Sequence, residues 1–173
     1  MPMDREASLQ TAAGADCVGG LEALADAGRH DSLRLWLRLF TCTQSIEAEV
    51  RSRLRRDFAI TLPRFDLLAQ LERNPQGLKM GELSRRLMVT GGSVTGITER
   101  LVAIGWVKRT ATPEDRRAYV VKLTAAGKRA FDRMAAAHEG WVIELLGGLS
   151  ARERDQLSRL LARVKQHVNG TTS

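Results

Sequence analysis

A chain of 173 residues with 43% hydrophobic content is long enough for one domain around one core, and its 27 Lys and Arg against 20 Asp and Glu leave a formal charge of +7. Such a surplus suits nucleic acid or an anionic membrane surface, but no apolar run approaches the roughly 18 to 20 residues of a spanning helix. The opening segment lacks the apolar centre of a secretory signal, and Cys17 and Cys42 form neither a disulfide framework nor a metal-ligand cluster, so a cytoplasmic protein without metal, cofactor or membrane contact is expected.

Residues 1–28 are rich in Ala, Gly and small polar side chains and read as a flexible arm, with one helical turn around Leu21 to Ala27; residues 29–173 read as a single domain. From Asp31 the pattern changes. Leu33, Trp36, Leu37 and Phe40, then Ile46, Val50, Leu54 and Phe58, recur at three- and four-residue steps and predict a long helix ending near Asp57. Cys42 falls in that apolar stretch and reads as a small buried hydrophobe. Thr61 as cap and Pro63 in the first turn open a second helix, with Phe65, Leu67, Leu68 and Leu71 inward, until "NPQG" at 74–77 breaks it. A third, short helix spans roughly Gly81 to Met88, with Leu83 and Leu87 four apart.

Thr90 offers its hydroxyl to the free N–H groups of a fourth helix, which runs to Ile104 and stops at Gly105. Two strands follow, Trp106 to Thr110 and Ala118 to Leu123, joined by the charged loop "ATPEDRR". Thr124 caps a long helix with Phe131, Met134, His138, Trp141, Val142 and Leu145 on one side, where His138 is expected to pack beside Trp141. Ser150 and Glu153 make a capping box for a last helix, whose stripe of Leu157, Leu160, Leu161, Val164 and Val168 needs a cover and so predicts a homodimer. The fold class is mainly α with a small β-wing.

Function concentrates in the middle of the chain. From Lys79 to Lys128 ten Lys and Arg stand against four acids, so six of the seven net charges lie there. On a wheel of about 100° per residue, Val94, Ile97, Leu101 and Ile104 form the core side of the fourth helix. The opposite side carries Gly92, Thr95, Gly96 and Glu99, flanked by Ser93 and Arg100. Short side chains and glycines let a helix lie close in a DNA groove, whereas a merely solvated helix more often shows Lys and Glu there. Lys108, Arg109, Arg116 and Arg117 surround the hairpin turn opened by Pro113 and project cations that reach an adjacent minor groove. Helix, turn, helix and basic hairpin together predict double-stranded DNA as the partner. No nucleophile motif or phosphate-cradling loop is present, and His30, His138 and His167 are scattered, so no enzyme is expected.

The stretch "LSRRLMVTGGSVTGITERLVAIGWVKRTATPEDRRAYVVKLTAAGKRAF" resembles the winged helix-turn-helix core of MarR-type transcriptional regulators, and the flanking helices extend the resemblance over residues 31–168. It implies a winged helix-turn-helix at about 61–124 between dimerisation helices at about 31–57 and 125–168, a homodimer with interlocking first and last helices, and a palindromic operator released by a small molecule or by thiol oxidation. By position Asp115 and Arg117 match the family's wing-tip Asp-x-Arg, Arg117 for the minor groove and Asp115 orienting it. Many members carry Arg where Gly96 stands, which moves base reading onto Ser93, Thr95 and Arg100; the glycine form resembles a branch that regulates aromatic acid breakdown.

Two alternatives to a ligand-released repressor remain within regulation. Cys17 precedes the first long helix, where peroxide-sensing relatives place their thiol, but the tyrosines that surround such thiols are missing, Tyr119 being the one tyrosine of the chain. A ligand-independent nucleoid protein would need only the basic surface. Against both, Trp36, Phe40, Phe65 and Trp141 supply large apolar surface on the three helices expected to surround a cleft, and Arg34 and Arg38 repeat at i, i+4. Together they suit an anionic aromatic effector, a carboxylate or its coenzyme A thioester.

Overall fold

In chain order the elements are α1 (Asp31–Phe58), α2 (Leu62–Glu72), β1 (Leu78–Lys79), α3 (Met80–Leu87), α4 (Gly91–Ala103), β2 (Val107–Ala111), β3 (Tyr119–Leu123), α5 (Ala125–Leu145) and α6 (Ala151–Thr171). The structure, a computed structural model, describes residues 30–111 and 119–171. The chain divides into two compact units at Ser52/Arg53.

In the first unit the described residues are those of α1 up to Ser52 with His30 before them. Asp31 stands in the first turn, where its charge suits the helix dipole, and pairs with Arg34 at 3.7 Å. Glu47 and Arg51 pair one turn apart, and Thr41 and Thr43 return their hydroxyls to the carbonyls of Leu37 and Leu39. Leu37 and Val50 are buried, but Leu33, Trp36 and Phe40 are exposed, so the first half of the expected apolar stripe is open. Cys42 is exposed as well, contrary to the expectation from its apolar neighbours. Five residues beyond Leu37 is about 140° around the helix, which carries Cys42 to the opposite face.

The second unit opens on the last turns of α1. Ala59 takes a left-handed φ of 52°, its N–H bonds to Arg55 O at 3.1 Å and that of Ile60 to Leu54 O at 3.3 Å, and buried Ile60 completes this helix stop. Thr61 has the extended backbone of a cap, yet its side chain accepts no bond from α2; Pro63 and the turn's own backbone start the helix instead. Phe65, Leu67, Leu68 and Leu71 are buried as their spacing predicts. Gly77, at φ 89°, ends the following turn, and a Cβ there would lie 2.7 Å from Val121 O. That close approach lets β1 pair with β3, a strand too short for periodicity to reveal. The antiparallel sheet has the order β1-β3-β2.

Leu83 of α3, Val94, Thr98 and Leu101 of α4, Val121 of β3 and Met134 of α5 are all essentially inaccessible and form the core with Leu67, Leu68 and Leu71. Phe65 stacks on Phe131 at 5.6 Å and meets the ring of His138 at 5.1 Å; Trp141 turns to Phe58, not to His138. Burial holds the His138 imidazole below its ordinary pKa. Arg53 clamps Glu144 with bonds of 2.6 and 3.0 Å, which holds that carboxyl below the usual range and ties the end of α1 to α5.

α5 is fixed at its start by one side chain. Thr124 Oγ1 accepts from Gly127 N–H at 3.0 Å and donates to Gly105 O at 2.7 Å, while its own N–H bonds to Trp106 O at 3.0 Å. Gly127 then lies so close to the residue before β2 that a Cβ would fall 1.9 Å from Trp106 O. At α6 the capping box is reciprocal: Glu153 N–H bonds to Ser150 Oγ at 3.3 Å, and Glu153 Oε2 accepts from Ser150 N–H at 2.8 Å. None of its described residues is buried.

Candidate nucleic-acid interface

α4 begins where its sequence says it should. Thr90 is extended, its Oγ1 accepts from Ser93 N–H at 3.3 Å, and the two hydroxyls lie 2.9 Å apart. The first turn contains no acid, so the partial positive charge of the helix start is left uncompensated beside exposed Gly91 and Gly92. The buried face is Val94, Thr98 and Leu101, not the predicted set ending in Ile104, which is 52% exposed. Ile104 lies about 80° around from Val94 and just past the last residue of the helix, as its C-cap, whereas Thr98 lies within about 40° of Val94. Thr98 tolerates burial because its hydroxyl donates to Val94 O at 2.8 Å.

With that face inward, Gly92, Thr95, Gly96, Glu99 and Arg100 lie on the far side, and no atom comes within 4 Å of a Cβ built on Gly91, Gly92 or Gly96. This is an open helix face whose backbone another molecule can approach. Thr95 donates its hydroxyl hydrogen to Gly91 O at 2.9 Å, leaving oxygen lone pairs and a methyl outward. Ser93 and Arg100 are exposed at the flanks. Glu99, the one acid on this face, meets Arg109 of β2 at 3.7 Å. With both side chains substantially exposed, that pair is weak and screened by salt.

Lys108 and Arg109 are exposed on β2, opposite Lys122 and Val121 of β3. Arg85 and Arg86 project from the last turn of α3, Arg86 bonded to Glu82 at 2.6 Å. The expected wing-tip residues Asp115, Arg116 and Arg117 lie outside the described residues, as do Pro113, Cys17, the N-terminal arm and the turn expected at Leu21 to Ala27. One residue was missed by sequence reasoning: Met88, in the turn between α3 and α4, is left-handed at φ 53° and 94% exposed.

The residues expected at an effector site fall in both units. In the first, Trp36 and Phe40 stack at 5.8 Å and are exposed, with Arg34 and Arg38 on the same helix. In the second, Phe65 is buried and Trp141 half-buried. A separate cavity of about 270 Å³ lies among Glu72, Pro75, Leu123, Thr124, Ala125 and Lys128. Lys128 there bonds to Asp132 at 2.6 Å and Glu72 at 3.1 Å, which raises its pKa. Among the described residues no group of three His, Cys, Asp or Glu is placed to hold a metal, and no helix is long and apolar enough to cross a membrane.

This geometry has close counterparts. The MarR family profile matches residues 60–118, which run from the start of α2 into the wing. PecS of Dickeya dadantii, an HTH-type transcriptional regulator, is 28% identical over 64% of this chain and 68% of its own. The chain spans about two thirds of the length of the first curated relatives it matches. A MarR family regulator from Silicibacter pomeroyi superposes with a TM-score of 0.69 at 31% identity, covering 83% of this chain and 99% of that one. Sco3205 of Streptomyces coelicolor, solved in complex with DNA, shares the fold with a TM-score of 0.66 at 24% identity over 77% and 84% of the two chains. A shared profile across the helix-turn-helix, and a relative whose structure is covered almost end to end, lead to one conclusion: the chain belongs to the MarR family, a family of transcriptional regulators and not of enzymes.

Proposed function

We propose that the protein is a cytoplasmic, homodimeric repressor that binds a palindromic operator through α4 and the wing and is released by an anionic aromatic effector. The observation that carries the DNA-binding part is the outer face of α4, open at Gly91, Gly92 and Gly96, beside the exposed cations of β2. A helix with so little side-chain bulk lies deep in a major groove, and the neighbouring Lys108 and Arg109 neutralise phosphates. Ser93, Thr95 and Arg100 then read base edges, and Arg117, with Arg116 and Asp115, serves the minor groove. In a dimer the two α4 helices address half-sites roughly 34 Å apart, one turn of DNA. A regulator seated across a promoter excludes polymerase, which is the basis for repression.

Residues 29–173 act as one functional domain in this reading, and the candidate effector contacts are Arg34, Trp36, Arg38 and Phe40 in the first unit and Phe65 and Trp141 in the second, each set to be tested by itself. Guanidinium groups pair a carboxylate or the phosphates of a coenzyme A thioester, and the rings accept its apolar body. By linkage that effector binds the DNA-incompetent arrangement more tightly. The exposure of Cys42 favours one second reading, release by thiol oxidation.

The test is titration of operator, selected from a random duplex pool, by fluorescence anisotropy at several salt concentrations. Arg117→Ala is expected to weaken binding by about 1 to 3 kcal/mol, and Lys122→Ala, in mid-strand, to change it little. Thr95→Ala alters sequence preference and leaves the salt slope intact, because a hydroxyl releases no counterion. Equal, small losses at Arg117 and Lys122 defeat the wing assignment. Thermal shifts with aromatic acids and their thioesters identify the effector. A Cys17→Ser, Cys42→Ser variant that binds operator but no longer responds to inducer decides for the thiol reading.

A further inference from the structure

Two residues other than glycine are left-handed among the described residues, and they make unequal use of that conformation. Both end helices: Ala59 ends α1 and Met88 ends α3. Behind Ala59, Ile60 is buried, so the sharp stop is rewarded with packing. Met88 closes α3 with its N–H on Arg85 O at 3.3 Å, and Val89 N–H reaches Ser84 O at 3.1 Å while Ser84 Oγ donates to Val89 O at 2.6 Å. That turn needs a left-handed residue, and glycine is the one that adopts it without crowding its Cβ. A side chain other than glycine is unfavourable there, and that of Met88 is 94% exposed, so among the described residues no packing offsets the cost.

Its surroundings say what it faces. Met88 stands two residues before the cap of α4, with the exposed Arg85 and Arg86 behind it and Gly91 and Gly92, bare of side chains, ahead. A flexible apolar arm is thus projected from a cationic turn alongside an open helix start. We propose that Met88 is a base-reading residue whose thioether arm packs against the 5-methyl group of a thymine at the edge of the major groove. That methyl is the apolar feature which base pairs present in that groove, and an unbranched thioether reaches it from the turn without a hydrogen-bond partner. The assignment rests on the proposed DNA-reading function and adds a contact outside α4 and the wing.

The experiment uses the full chain and duplexes selected by it from a random pool. Each thymine of the selected half-site is replaced in turn by deoxyuridine, which lacks only the methyl group, and affinity is measured for the unaltered protein, Met88→Gly and Met88→Leu. At one position per half-site, loss of the methyl is expected to weaken the unaltered protein about fourfold, the worth of one buried carbon, and Met88→Leu similarly. Met88→Gly should bind the thymine duplex about fourfold per half-site more weakly and be indifferent to deoxyuridine there. The thymine-to-deoxyuridine ratio is taken within each variant, so a change in folded fraction cancels from it, and comparisons between variants are made per active protein, counted by stoichiometric titration. If Met88→Gly loses the same factor with thymine and deoxyuridine at every position, or binds as the unaltered protein does, the proposal is overturned and DNA reading stands. If no duplex is enriched, the DNA-reading function itself falls and this contact with it.

Discussion

α4 and α6 start alike and end in opposite circumstances. Each begins at a hydroxyl cap, Thr90 or Ser150, and each carries apolar residues at helical spacing. α4 buries Val94, Thr98 and Leu101 within its own unit, whereas α6 leaves Leu157, Leu160, Leu161, Val164 and Val168 between 38 and 56% exposed. Local sequence therefore decides that both are helices, but only packing separates a helix whose apolar side is covered from one whose apolar side is left open. Five exposed apolar residues at helical spacing on α6 are more than the singly scattered apolar surface a folded chain keeps in water, and within the first unit Leu33, Leu35, Trp36 and Phe40 of α1 are exposed as well.

The largest expected effect tests the buried side of this contrast. Leu101→Ala should lower unfolding free energy in urea by about 2 to 5 kcal/mol, and Leu161→Ala, at a dilution where chains are single, by less than about 0.5 kcal/mol. Equal losses would mean that α6 is covered within the chain. The same stripe is sharpened by replacing Leu157, Leu160 and Leu161 together with Ser: sedimentation at micromolar concentration should move from dimer to monomer, whereas Leu101→Ala should not change assembly of the folded fraction. A monomer before any substitution ends the dimer proposal. The smallest effect lies in the caps. Thr90→Ala should cost about 1 kcal/mol at every pH, because its partner is a backbone N–H. At α6 the Ser150 hydroxyl, then its backbone N–H, holds the Glu153 carboxyl below the ordinary range. A depressed carboxylate stabilises the folded form above its unfolded pKa and loses that contribution as pH falls through the lowered value. The protection of the amides at residues 151–154, taken relative to the intrinsic exchange rate at each pH, should therefore fall slightly on acidification, and Glu153→Gln should abolish the trend.

The elements legible in the sequence were those governed by local chemistry. Thr90, Thr124 and the Ser150–Glu153 pair each cap the helix assigned to them, and Gly105 ends α4 at a φ of 72°. Expectations failed where a second local bond, a helix end or a distant partner decides, and Thr61, which caps α2 without its side chain, is a local case. Thr98, absent from the expected core side, is buried because its hydroxyl is satisfied one turn back. Ile104 looked internal and is exposed because the helix ends before that side reaches the core. β1 exists only through Val120 and Val121 of β3, more than forty residues away. His138 found Phe65 on another helix rather than Trp141 on its own. For the interface, the open face of α4 was readable from its glycines. Met88 was not, since nothing in its one-letter neighbourhood announces a left-handed backbone.

The hydroxyl of Thr124 has a consequence for how this hairpin can be altered. It joins the start of α5 to the carbonyl of Gly105, just beyond α4, and the Thr124 N–H bonds to Trp106 O, so both feet of the hairpin are pinned at one point. A change of chain length beyond the Ala111–Tyr119 pair, at the far end of β2 and β3 from this point, is then expected to leave α4 unmoved against α5. The wing is in this sense a cartridge: its reach and charge can be exchanged by grafting, while the helix beside it keeps its seat.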